Sequence, residues 1–232
     1  MNELAQSEVF TLTLVIGTYL AAQVLYKKTR IPLLHPLLTS IFVIIAFLKI
    51  AGIEYESFQK GSHLIHFLLG PSVVALGFVL YEQMQYLKGN VVSILTSVFV
   101  GAIVGIVSVI VIGDLMGADQ ELIATLQPKS VTTPIAMEIA KKSGGIPSLT
   151  AVIVVAVGIF GSIAGPFVLK VLGIESRIAK GLALGASAHG VGTSAAIQIG
   201  AIEGALSGLA IGLMGIMTAI LVPVISFIIS LF

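Results

Sequence analysis

Two short polar stretches in an otherwise apolar chain hold most of the side chains able to do chemistry. The first reads Gln127-Pro128-Lys129-Ser130-Val131-Thr132-Thr133-Pro134. Proline lacks only a donor that the first turn of a helix leaves unpaired anyway, so Pro134 predicts a first helical residue and Thr133 its N-cap. Free N–H groups and the positive dipole end of that half-helix, the Ser130, Thr132 and Thr133 hydroxyls and the Lys129 ammonium together describe a pocket for a carboxylate or another small anion. The alternative has Lys129 snorkelling to an interface while the hydroxyls bond their own backbone. The second stretch reads Gly185-Ala186-Ser187-Ala188-His189-Gly190-Val191-Gly192-Thr193-Ser194. Here Gly190 and Gly192 let backbone approach a ligand closely, and Thr193 or Ser194 caps the next half-helix. His189, far from any charge, either contacts the ligand, carries a proton with it, or is a structural hydrogen-bond donor. Two half-helix starts would then face one site.

Two further polar features stand beside these. Glu138 lies one turn beyond Pro134 and is either a coupling-ion or proton site or the partner of Lys141 or Lys142, the pair being preferred on spacing. Gly70-Pro71-Ser72 interrupts an apolar run, ends or kinks a helix there, and could supply another wall of the cavity.

The elements that must position these residues are read from the gaps between charges. Of 232 residues 57% are hydrophobic and 10% charged, with a mean hydropathy of +1.11. A charge in hydrocarbon costs about 2.5–3.5 kcal/mol even on lenient scales. Charge-free windows run over 9–26, 31–48, 61–81, 89–113, 143–169, 181–202 and 204–232, each at or beyond the ~17–20 residues a helix needs to cross a bilayer. The expected fold is therefore an all-α integral membrane protein with about seven transmembrane helices plus interrupted or re-entrant segments. Glu3 and Glu8 precede the first window and Lys27, Lys28 and Arg30 follow it, the reverse of a signal peptide, so it is expected to stay as a helix with its basic end in the cytoplasm. If 122–140 crosses, the inner loops hold six basic residues, Lys27, Lys28, Arg30, Lys88, Lys141 and Lys142, against five outside; if it dips in and returns, the split is seven to four, and the re-entrant path is preferred.

Sliding the chain by about 60 residues pairs Val131 with Val191, Thr133 with Thr193, Ala136 with Ala196, Ile139 with Ile199 and Gly144 with Gly204. The same shift pairs the rare polar residues, Lys129 with His189 and Glu138 with Gln198. This predicts one membrane domain over 1–232, with scaffold helices in 1–115 and two inverted repeat units, 119–171 and 177–232. Matching interrupted helices are the strongest sequence pointer to a transporter's binding site; close packing of small residues is the plainer reading.

At Leu69-Gly70-Pro71-Ser72-Val73-Val74-Ala75-Leu76, at Pro128 to Ala136 and at Ala188 to Ala195 the chain resembles the LrgB/CidB family of bacterial membrane proteins, which includes the C-terminal half of the plant plastid glycolate/glycerate translocator. The resemblance implies a small holin-like membrane partner of the LrgA/CidA type. It also implies either carriage of small monocarboxylates of the pyruvate, lactate and glycolate class, or an antiholin-like role in which a regulator or pore component controls murein hydrolase activity and lysis. The expected function is a secondary carrier with one central anion site, and the regulator is its alternative. The expected location is the bacterial cytoplasmic membrane.

Other classes are disfavoured. A net charge of +1 offers no field for nucleic acid, and no cysteine is present for redox or thiolate chemistry. No P-loop and no H-E-x-x-H pair occur, so neither an ATPase nor a metalloenzyme is expected and no cofactor is called for. His63 and His66, three residues apart, are the one weak metal candidate. A homodimer is expected by analogy with carriers that move one domain against an anchored one.

Overall fold

The computed structural model describes residues 1–29, 31, 34–83 and 89–229, and among these every regular element is a helix. Arg30 and Lys88, two of the charges used for orientation, lie outside the described residues. The chain forms two compact units, Met1–Ser72 and Val73–Phe232.

The first unit contains α1 (Asn2–Ala5), α2 (Glu8–Thr29), α3 (Pro36–Ile50), α4 (Tyr55–Gly61) and α5 (His63–Phe67), and ends in the first turn of α6 (Leu69–Gln83). Pro36 opens α3, with the His35 ring accepting from Leu37 N–H. Phe10 of α2 meets Phe47 of α3 with ring centroids 6.4 Å apart. The break expected at Gly70-Pro71 is realised as a fresh start: α5 ends at Phe67 and α6 begins at Leu69, with Pro71 in its first turn where a missing N–H costs nothing.

The second unit contains the rest of α6, then α7 (Val91–Leu115), α8 (Gln120–Leu126), α9 (Thr133–Lys142), α10 (Pro147–Val171), α11 (Arg177–Ile199) and α12 (Ala201–Ile229). Four of the seven charge-free windows form helices long and apolar enough to cross a membrane, namely α2, α7, α10 and α12. The other three do not form single long helices. Window 31–48 gives the shorter α3, 61–81 is divided among α4, α5 and α6, and 181–202 lies in α11, which is broken.

Both interrupted segments fold back on themselves. Asp119 caps α8 through its Oδ1, which accepts from Leu122 N–H at 2.8 Å. The chain leaves α8, passes the break at 127–132, runs down α9 and returns to α8: Ile146 N–H donates to Thr125 Oγ1 at 2.8 Å, and Thr150 Oγ1 donates to the Thr125 carbonyl at 3.0 Å. Gly144, at φ +79°, makes the turn between α9 and α10, and Gly145 N–H donates to the Ala140 carbonyl. In α11 the backbone leaves helical geometry at Ala188 and at His189, whose φ is +43° and ψ −134°. The chain reverses there. Gly181 and Gly185 in the first limb, 177–187, and Thr193 and Ile197 in the second, 190–199, all lie against the same stretch of α12, Glu203 to Ser207. Gly192 likewise packs on the Leu184 carbonyl, an approach possible only if the two limbs are antiparallel.

The core of this unit joins α7, both folded-back segments and α12. Ile94, Val98, Ala102 and Ile106 form one buried stripe of α7, repeating every turn, and meet Val131, Ala136, Leu182, Leu206 and Leu209. Where lipid is as apolar as leucine, close packing holds helices together, and small residues permit it.

Candidate functional site

A cavity of about 430 Å³ opens between α7, the break before α9, the first limb of α11 and α12. Its walls are mostly apolar, and its polar groups come from Ser97 of α7, Lys129 and Ser130 of the first break, and Ser187 at the end of the first limb of α11. Gly101 and Gly105 from the middle of α7 and Met214 from the middle of α12 complete it. The cavity therefore lies halfway along two helices able to span a bilayer. Lys129 is half-buried, and its ammonium has a single partner among the described residues, Ser130 Oγ at 3.4 Å. Among the described residues it is the only cation lining the cavity. Beside it, Thr132 Oγ1 and Gln127 Oε1 are buried without hydrogen-bond partners, a costly state unless a ligand or water completes them.

Helix α9 begins one residue earlier than its proline suggests. Thr132, not Thr133, is the N-cap, Thr133 is the first helical residue and Pro134 the second. The Thr132 hydroxyl makes no capping bond. Pro134 faces a second, smaller cavity on the other side of α9, which Glu138 and Lys142 also line. The preferred pairing of Glu138 is corrected here: it forms no ion pair with Lys141 or Lys142 among the described residues, and it is exposed.

The second stretch contributes differently from expectation. His189 is buried, and its Nε2–H donates to the Val154 carbonyl of α10 at 2.9 Å. Gly158 makes room for the ring: a Cβ there would stand 2.6 Å from Cε1 and 2.7 Å from Nε2. Thr193 Oγ1 donates to the His189 carbonyl at 3.0 Å and shares a 2.7 Å bond with Ser207 Oγ of α12. Ser194 bonds back to the Gly190 carbonyl, Gly190 is exposed with open space before it, and Gly192 packs on the first limb. None of these five residues lines the large cavity, which takes the end of the first limb in place of the start of the second. Gly70 and Pro71 belong to the first unit and are exposed.

The sequence reading missed Ser97, Gly101 and Gly105, whose one-turn spacing on α7 was the available signal, and Ser187, which sits in a quoted stretch without having been singled out. Among the described residues no group of three or more His, Asp or Glu side chains is placed to hold a metal ion, and His63 instead stands 3.7 Å from Glu8.

The model of the LrgB-like family matches residues 15–228. The uncharacterized protein YxaC of Bacillus subtilis is 37% identical over 217 residues, covering 94% of this chain and 94% of its own length. The holin-like protein CidB of Staphylococcus epidermidis is 32% identical over 225 residues, covering 97% of this chain and 98% of its own, and CidB of Staphylococcus aureus matches to the same extent. No solved structure matches.

Proposed function

The chain belongs to the LrgB-like family, and from that premise we propose that it is an antiholin-like or holin-like component of the bacterial cytoplasmic membrane. In this role it acts with a small LrgA/CidA-type membrane protein to control murein hydrolase activity and lysis. The observation carrying this reading is the alignment with holin-like CidB over 97% of the chain. The four helices able to cross a membrane agree with it. The test is expression of the chain, of the partner and of both in a host lacking them. A change in lysis rate that needs both proteins supports the reading, and no change with both inserted in the membrane overturns it.

A second reading is favoured by the cavity at Lys129: a secondary carrier of small monocarboxylates of the pyruvate, lactate and glycolate class. The Lys129 ammonium and the Ser130 hydroxyl on the wall of an otherwise apolar cavity suit a carboxylate with a short apolar body. In this reading the two folded-back segments act as the discontinuous helices that, in inverted repeats, form a binding site near the bilayer midplane. In that arrangement 119–171 and 177–232 are the two repeats, each entering, returning and then crossing once. Saturable uptake and counterflow of labelled pyruvate in proteoliposomes separate carrier from pore. Uptake proportional to concentration without saturation removes the carrier reading.

A further inference from the structure

We propose that the smaller cavity between α9 and the end of α12 binds a zwitterionic ammonium–phosphate headgroup, that of an ethanolamine phospholipid in the surrounding bilayer. The cavity holds about 290 Å³. Glu138 precedes Lys142 by one turn of α9, the order in which an exposed pair closes most readily, yet the two stay apart and both border the cavity. Ser143 stands beside Lys142, and Ile139 forms apolar wall. Across from them are Ala219 and Pro223 of α12. Pro223, inside the helix, has no N–H to give, so the Ala219 carbonyl lacks its usual donor one turn on. The wall thus presents a carboxylate and a free carbonyl as acceptors for an ammonium, and an ammonium and a hydroxyl as donors for a phosphate.

Depth selects the source of this chemistry. Ser143 comes just before Pro147, where α10 begins, and Pro223 lies near the end of α12 at Ile229. Both are spans by length and composition, so the cavity stands at their ends, at headgroup level. Soluble phosphoethanolamine carries the same charges, but a site at the rim of two spans meets lipid at far higher local concentration.

The test is native mass spectrometry and thermal unfolding of the purified full chain with phosphatidylethanolamine, phosphatidylcholine, phosphatidylglycerol or soluble phosphoethanolamine. Phosphatidylethanolamine is expected to be retained and to raise Tm. Phosphatidylcholine, whose ammonium has no N–H, and phosphatidylglycerol, which has no ammonium, are expected to be held about tenfold more weakly, the worth of one charge-assisted hydrogen bond. Glu138→Gln and Lys142→Gln should each remove that preference with the helical circular dichroism intact, and Ser143→Ala, which keeps both charges, should weaken it less. Equal retention of the three lipids overturns the proposal, as does a preference that survives in both charge variants. Equal protection by soluble phosphoethanolamine without lipid overturns the lipid assignment.

Discussion

At the scale of single residues the most constrained contact is between Gly158 and His189. A non-glycine residue at φ +43° and ψ −134° occupies a region that costs on the order of 1–3 kcal/mol and persists only where neighbours enforce it. The neighbour here is the Val154 carbonyl, which holds the ring above Gly158. Gly158→Ala is therefore expected to destabilise the protein by about 1–3 kcal/mol, because a buried, bonded ring cannot yield as a flexible side chain can. In a His189→Gly background the same substitution should cost less, since only the Val191 methyl, 3.2 Å from the added Cβ, remains close. Thermal unfolding of the four proteins of this cycle in detergent measures the coupling, and additive effects would show that the ring and Cβ never compete. Lys129 gives the second prediction. On the carrier reading, Lys129→Ala abolishes saturable carboxylate uptake while leaving the unfolding free energy within about 1 kcal/mol of the parent, as its one bond among the described residues is to Ser130; undiminished uptake by the folded variant removes it from the site. The position of Lys129 on a cavity wall was legible because an ammonium in so apolar a stretch must line a cavity or snorkel. That of His189 was not, because its partner is 35 residues away on another helix.

At the scale of elements, the breaks were legible and their geometry was not. Proline and hydroxyls located the start of α9 to within one residue, and glycines located the reversal in α11, since both act through local backbone preference. Which limb of α11 lines the cavity depends on how two antiparallel limbs share α12, and that is set by the small residues Gly181, Gly185 and Gly192 at three separate contacts. The seven windows, equal in charge, diverged because absence of charge sets an upper bound on helix length and breaks at Gly70-Pro71 and Ala188-His189 shorten it. The first folded-back segment is closed by Thr125, which uses its hydroxyl and carbonyl on Ile146 and Thr150. Thr125→Val keeps the shape but leaves the Ile146 N–H without an acceptor, at a cost of about 1–3 kcal/mol. Hydrogen exchange at Ile146 should accelerate in the variant, and unchanged protection would mean that the amide has another acceptor.

At the scale of the molecule, the folded-back segments decide which helix ends of the second unit lie together. Thr125 meets Ile146 and Thr150, so the chain between α8 and α10 begins and ends at one level, and α10 starts at the end of this unit where α7 ends. Lys170, Glu175, Lys180 and Ile199 border one cavity at the other end of α10, so α11 likewise starts and finishes on one side, opposite the first. Helix α12 then runs back toward the first end, bringing Pro223 beside Lys142. The chain has no cysteine, so single substitutions report cleanly on this path. Ala118→Cys and Lys141→Cys should react with a membrane-impermeant maleimide from the same side, and Glu175→Cys and Ala201→Cys from the other. Labelling of positions 118 and 141 from opposite sides would make 120–142 a crossing segment, give the two repeats the same orientation and remove the central site shared by two inverted halves. Labelling in the expected pairs leaves Lys129 and Ser187 on opposing re-entrant tips that reach the middle of the bilayer from its two faces, the arrangement in which one cavity can be opened to either side by moving either tip.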